Sequence, residues 1–295
     1  MKQRVFIFFM LATAAMCVTA QNNANTFSMN LGNGKLYLLS EGQGNGNMNI
    51  LIGVKPEVAE KYAPNNSFPI ATNVFLWQSE GKNFLFDTGN GRALFDNLQS
   101  IGVKPEDIDA IFITHMHGDH INGLLRNGQA AFPKAKLFIS KAEYNHWTND
   151  EKINQMPENQ RGGFLNAKKA TEAYKDRLQL FEPILDEYSD KVLYHNIKAY
   201  ATYGHTPGHT VYLIESGEKM MLIWGDLTHA MAVQMPHPEL GVTYDTDPTK
   251  AIQARALVLR IISNFAIPVA GMHIAYPGIG TVVKSDSGYR FVPVK

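Results

Sequence analysis

The sequence predicts an α/β sandwich, and three observations carry that expectation. First, the 295 residues are 45% apolar by type and 18% charged, enough to build a substantial core and far from a disordered composition. Second, strand-like apolar runs recur in both halves of the chain, with helical periodicity between them. Third, no repeat or charge block interrupts Gln21–Lys295, which favours one unit over two independent domains. Lys+Arg and Asp+Glu balance at 27 each, so the basic excess of a nucleic-acid binder is missing. A single cysteine excludes an intramolecular disulfide framework and a Cys-rich zinc site. Ten histidines are left to explain.

Lys2 and Arg4 precede an apolar run from Val5 to Val18, followed by Thr19, Ala20 and a polar stretch. That order reads as a secretory signal peptide over residues 1–20, cleaved after Ala20, with residues 21–295 as the one mature domain. Export to the periplasm or the medium is therefore expected. Met16 is a poor match to the small residue that lipid attachment at Cys17 requires, so a lipid anchor is not expected. Without the leader the chain is slightly acidic and cysteine-free, and no later segment is apolar enough to span a membrane.

The Gly/Asn-rich stretch Gly32–Asn49 reads as turns around a short strand, Lys35–Leu39. Asn73–Gln78 and Asn83–Asp87, separated by Ser79-Glu80-Gly81-Lys82, read as a β-hairpin. Ala93–Ile101 reads as a helix closed by Gly102, and Ala110–Thr114 and Lys136–Ser140 as buried strands. Residues 141–190 are polar and helical in period. Phe164, Ala167, Ala170, Tyr174, Leu178 and Phe181 share one face there. Strands follow at Ile197–Tyr203, Thr210–Glu215 and Lys219–Trp224, then a helix at Pro248–Ser263 and a strand near Ala266–Gly271. A last hairpin pairs Thr281–Lys284 with Tyr289–Val294.

The chemistry concentrates in Thr114-His115-Met116-His117-Gly118-Asp119-His120, directly after an apolar run. Imidazoles and a carboxylate without thiolate suit Zn²⁺, with Mn²⁺, Fe²⁺ or Co²⁺ as alternatives. Burying four such groups unpaired would be costly, so a purely structural role is not expected. His209 in Gly204-His205-Thr206-Pro207-Gly208-His209, Asp226 after Trp224-Gly225, and His273 after Gly271-Met272 each stand where an apolar run ends. These five histidines and two aspartates suffice for two metals sharing one carboxylate. His205 reads instead as a hydrogen-bonding turn residue. His146, His195 and His237 read as surface or core residues.

These motifs, with Asp87-Thr88-Gly89 upstream, resemble the metallo-β-lactamase-fold hydrolase superfamily. The resemblance implies an αββα sandwich with a helical insertion at about 141–190. It implies that His115, His117 and His209 hold one metal, that Asp119, His120 and His273 hold the second, and that Asp226 bridges. Asp87 would support the ligand loop, and His229 would face the pocket or orient a ligand. Asp226-Leu227-Thr228-His229-Ala230 and His273 followed by Pro277-Gly278 look like the branch that holds methyl parathion hydrolase and related lactonases and arylesterases.

That resemblance implies a metallohydrolase with a dinuclear centre, Asp119 and Asp226 being its catalytic carboxylates. Two divalent ions about 3.5–4 Å apart hold a bridging hydroxide that attacks an uncharged ester, lactone or phosphotriester. β-Lactamase activity and single-iron dioxygenase chemistry on the same fold are the alternatives. Phe95, Tyr144, Trp147, Met231, Met235 and Tyr276 are candidates for an apolar substrate pocket, with segment 141–190 and the loop after Phe68 shaping it. The expected partner is a small molecule, not a nucleic acid, and a homodimer stays open.

Overall fold

Alternation along the strands decides the layers. Successive side chains point to opposite faces of a sheet, and here both faces are apolar. Phe75, Trp77, Phe84, Phe86 and Phe112 point into one core, while Val74, Leu76, Leu85 and Ile111 point into another. The same split recurs later: Tyr212, Ile214, Met221 and Ile223 join the first of these cores, and Val211, Leu213, Leu222 and Trp224 a third. A strand buried on both faces must lie between two other layers.

The structure, a computed structural model, describes residues 25–186 and 189–295. The expected leader, residues 1–20, lies outside them. Among the described residues no helix is long and apolar enough to cross a membrane. A seven-stranded sheet runs in the order Thr26–Leu31, Gly34–Asn47, Ser67–Ser79, Lys82–Phe86, Ala110–Phe112, Lys136–Ser140, Leu178–Phe181. A six-stranded sheet runs Ile197–Ala201, Thr210–Ser216, Lys219–Ile223, Val269–Ala270, Ile279–Ser285, Gly288–Pro293. The shared core lies between the sheets. Helices Leu94–Ser100, Lys141–Trp147 and Gly162–Ala173 cover the first sheet, and Pro248–Phe265 covers the second. The architecture is the expected αββα sandwich.

Two local expectations are corrected. The glycine-rich stretch is not a set of turns: Gly34–Asn47 is one long strand, bulged between Ser40 and Gly42 and paired as far as Asn47 with Ser67. Its partner strand supplies the ladder hydrogen bonds that glycine's weak strand preference does not. Leu178 and Phe181 do not continue the helical face of Phe164, Ala167 and Ala170. The helix ends at Ala173, and Leu178–Phe181 pairs in parallel with Leu137–Ser140, whose free edge needed partners.

Candidate metal centre

The apolar strands carry the site because they stop together at one edge of the sandwich. Ala110–Phe112 leads into the His115–His120 loop, Lys219–Ile223 into Asp226, and Val269–Ala270 into His273. Strands Ile197–Ala201 and Thr210–Ser216 deliver the His205–His209 turn to the same edge.

Two separate groups of donor atoms meet there, each within 4.8 Å, and a third overlaps them. His115, His117, His205 and Asp226 form one; Asp119, His120 and His273 form the other; Asp226, His229 and His273 form the overlapping third. In the first, His117 Nδ1 lies 2.9 Å from His115 Nε2 and 3.0 Å from His205 Nε2. Asp226 reaches both groups. Its Oδ2 is 3.3 Å from His205 Nε2, 3.5 Å from His115 Nε2 and 3.2 Å from His273 Nε2, and its Oδ1 is 3.1 Å from His120 Nε2. Asp119 Oδ2 stands 3.7 Å from His120 Nε2 and 3.5 Å from His273 Nε2.

The outer partners settle which ring nitrogen faces inward. Asp245 Oδ1 accepts from His205 Nδ1 at 2.9 Å, Asp87 Oδ2 from His120 Nδ1 at 2.7 Å, and the Ala71 carbonyl from His273 Nδ1 at 2.8 Å. The Thr114 hydroxyl donates to Asp87 at 2.8 Å, so its lone pair is left to accept from His115 Nδ1 at 3.1 Å. Each Nε2 lone pair then points into the cluster, as metal ligation requires. Asp87 Oδ1 also accepts from Thr114 N at 2.7 Å. His120 Nε2 and Asp226 Oδ1, though close, are buried without any hydrogen-bond partner. Orphaned buried donors and acceptors aimed at a common point fit a cation. The donor set fits divalent metal ions.

The structure places two histidines differently from the sequence expectation. His205 meets the cluster and His209 does not. The backbone N–H of Asp226 donates to His209 Nε2 at 2.9 Å, and His209 Nδ1 turns to Thr202 Oγ1 at 2.8 Å, so neither nitrogen of His209 is left for a ligand. Gly225 at φ +58° permits this approach, since a Cβ there would sit 2.6 Å from His209 Nε2. His229 is buried, with Nε2 3.0 Å from Asp226 Oδ2 and its ring stacked on His273 at 5.1 Å.

Sequence reasoning missed Glu143. From the helix Lys141–Trp147 its Oε1 accepts from Met116 N at 2.8 Å and Trp147 Nε1 at 2.6 Å. Its Oε2 accepts from Thr206 Oγ1 at 2.7 Å and Gly208 N at 2.8 Å. One buried carboxylate thus ties the His115–His120 loop to the His205 turn. Burial pushes its pKa up, against the pull of these four hydrogen bonds. Asp245, which orients His205, was also missed, for it stands in no motif.

A cavity of about 830 Å³ opens over Asp119, Asp226, His117, His229 and His273. Its walls are Gly42, Gln43, Gly44, Gly46, Asn47, Ile50, Ile70, Ala71, Thr72, Asn90, Arg92, Glu41 and Tyr244. The residues expected to line it are elsewhere. Phe95 stacks on Phe132; Tyr144 packs on the helical core; Trp147 is buried against Phe164 with its edge to His117. Met231 and Met235 belong to the core under the second sheet, and Tyr276 sits edge-on to Phe27. Among the described residues of segment 141–190 none lines the cavity; the glycine strand and residues 70–72 supply the lining instead. His146, His195 and His237 lie outside the cluster, against Trp147, Phe84 and Tyr62 respectively.

Without metal, the carboxylates hold protons on part of the cluster. Burial works against it, yet hydrogen bonds from His205 to Asp226 and Asp245 raise its pKa to about 9. His120 and His273 are also raised, the carboxylates outweighing burial, whereas burial lowers His117 to about 3. A metal takes neutral imidazole, so at pH 7 loading displaces the proton of His205. Zinc titrated into metal-free protein is expected to release protons, with apparent affinity rising with pH until His205 loses its proton near 9. Calorimetry in buffers of different ionisation enthalpy measures this, and heats independent of the buffer would refute it.

The model of the Metallo-beta-lactamase superfamily matches residues 68–264, the stretch that carries every donor named above except His273. The chain belongs to the metallo-beta-lactamase superfamily. Among solved structures of this superfamily's fold, the hydrolase AbOPH superposes with a TM-score of 0.81 at 25% identity, covering 93% of this chain and 99% of that one. AidC, a dizinc quorum-quenching lactonase, gives 0.81 at 26% identity over 92% and 98%. Curated relatives match over short stretches. The exodeoxyribonuclease WalJ of Streptococcus pneumoniae is 39% identical over 74 residues, and ribonuclease Z of Clostridioides difficile is 50% identical over 54. The chain spans about a quarter of WalJ's length and 17% of that ribonuclease. Superfamily membership and these neighbours make the protein a metallohydrolase.

Proposed function

We propose that this metallohydrolase cleaves an uncharged ester, lactone or phosphotriester at a dinuclear zinc centre. The observation that carries the reading is the single buried carboxylate, Asp226, whose Oδ2 lies between His205 of one group and His273 of the other and whose Oδ1 faces His120. His115, His117 and His205 would hold one ion, Asp119, His120 and His273 the other, and Asp226 both. Such ions supply a hydroxide nucleophile at neutral pH and Lewis-acid stabilisation of the attacked oxygen. The chain's part is to hold the donors: Asp87, Asp245, Thr114 and the Ala71 carbonyl fix the rings before a metal arrives, which keeps the arrangement from relaxing during turnover. The similarity to AidC supports a lactone among the substrates. The cavity supports an uncharged one. Apart from the donors its lining has one cation, Arg92, among the described residues, and the carboxylate of Glu41 is taken by the N–H groups of Arg92 and Ala93 at 3.0 and 2.7 Å. Export of the enzyme follows from the leader-like residues 1–20 and is part of the proposal.

The test is a hydrolysis panel on metal-analysed protein, comprising an aryl ester, an acyl-homoserine lactone, an aryl phosphotriester and a β-lactam. Turnover of an ester, lactone or phosphotriester with two metals per chain is expected. One iron per chain, with oxygen uptake on a thiol, would replace this reading with a dioxygenase; turnover of the β-lactam alone would replace it with a lactamase.

A further inference from the structure

Tyr244 is the one aromatic phenol among the described residues that line the metal cavity. It is 48% exposed, and its hydroxyl makes no hydrogen bond to a described residue, unlike the buried Tyr174 and Tyr212, whose hydroxyls donate to backbone carbonyls. Its ring stands edge-on to His229 at 5.7 Å, and His229 in turn stacks on His273. The phenol ring therefore borders His229, which packs against His273 and, at 4.9 Å, against His205. Burial, with Asp119 adding to it, raises its pKa.

The backbone around Tyr244 is fixed from both sides. Thr243 N donates to the Ile50 carbonyl at 2.8 Å. Asp245 N donates to the Val242 carbonyl at 3.0 Å, while the Asp245 side chain accepts from Val242 N and from His205 Nδ1, both at 2.9 Å. A cavity-lining tyrosine tied one residue away to a metal-facing histidine, its hydroxyl bonded to no described residue, is preorganised to donate to a ligand rather than to the protein.

We propose that the Tyr244 hydroxyl donates a hydrogen bond to the leaving oxygen of the substrate. The inference rests on the ester-hydrolase reading above. In the step concerned, an oxygen from water bonds to the acyl carbon, the bond from that carbon to the leaving oxygen breaks, and its electron pair stays on the departing oxygen. That alkoxide accepts the Tyr244 hydrogen bond and takes its final proton from water, giving acid and alcohol. An aryloxide carries its charge unaided; an alkoxide does not. Tyr244 therefore matters in proportion to how poor the leaving group is.

The test compares Tyr244→Phe with the wild type on a p-nitrophenyl ester and an alkyl ester of the same acid. Metal content and melting temperature are expected to stay unchanged, the side chain being half exposed. For the alkyl ester kcat falls by at least about tenfold, and for the nitrophenyl ester it stays within about twofold. Binding of a phosphonate analogue of the alkyl ester weakens about fivefold. Equal losses on the two esters, no loss on either, or unchanged phosphonate binding overturns the proposal while leaving the hydrolase reading intact. If the wild type turns over neither these esters nor the lactone and phosphotriester of the panel, the underlying reading falls and takes this one with it; turnover of the lactone or phosphotriester alone overturns the proposal and leaves the hydrolase reading intact.

Discussion

Asp226→Asn lowers kcat/KM by more than the roughly 100-fold that loss of an outer partner costs a metal site, and leaves fewer than two metals per chain. The amide keeps the shape but replaces one of two carboxylate oxygens with an NH₂, which donates and cannot ligate. Asp226 Oδ2 faces His205, His115 and His273 while Oδ1 faces His120, so an NH₂ in the Oδ2 place removes the oxygen shared by the two donor groups, and one in the Oδ1 place takes the acceptor from His120. The carboxylate is also the principal countercharge of the cluster. Burial opposes its ionisation, yet His120 and His273 hold its pKa well below the usual range. Elemental analysis and steady-state kinetics read both effects. Two retained metals with kcat/KM within about tenfold of the wild type would show that Asp226 is not shared. The same measurements separate His205 from His209. His205→Ala loses the metal at the His115–His117 side. His209→Ala keeps both metals and instead costs about 1–3 kcal/mol of stability, since it leaves the buried Asp226 N–H unpaired.

Glu143→Ala has the largest expected effect on folding. Four donors converge on this carboxylate: two backbone N–H groups, the Trp147 indole and the Thr206 hydroxyl. The hydroxyl can turn to another acceptor, whereas the backbone groups cannot. At about 1–3 kcal/mol for each unsatisfied buried donor, the loss is roughly 3–5 kcal/mol, a large part of a typical domain's stability. Gly208 leaves no slack for repacking, because even a Cβ there would lie 2.2 Å from Glu143 N. Urea unfolding of the metal-free protein measures the loss. The effect on metal is separate: with the His115–His120 loop untied from the His205 turn, affinity falls about 10–100-fold, as for other outer supports of metal sites. Glu143→Gln retains one acceptor oxygen and is expected to fall between alanine and wild type in both measurements. A glutamine variant as stable as the wild type would mean that the charge is dispensable.

Why some of this was legible in the chain and some was not follows from range. The ligand loop is readable because its donors are contiguous and because an apolar strand, Ala110–Phe112, fixes where they emerge. Glu143 was hidden by a local pattern: Ser140-Lys141-Ala142-Glu143 looks like a helix start whose Glu serves the cap. Ser140 does accept from Glu143 N, but the Glu143 carboxylate is spent on residues 27 to 65 positions away and on Trp147. The aromatic candidates failed for the same reason. Phe95, Tyr144 and Trp147 have the composition of a pocket, and the helical layer over the first sheet took them for its core.

The sequence by itself determined the sandwich, the edge at which the chemistry gathers and most of the donors, because two-residue alternation and contiguous motifs are local properties. Only the tertiary structure decided between His205 and His209. They stand four residues apart on one turn, and the choice depends on the Asp226 N–H and the Asp245 carboxylate, which arrive from distant segments to claim one ring nitrogen each. The pocket was decided in the same way. A run of glycines and asparagines carries no fixed conformation of its own, and Gly34–Asn47 became a wall of the cavity only because Ser67–Ser79 lay alongside to complete its ladder.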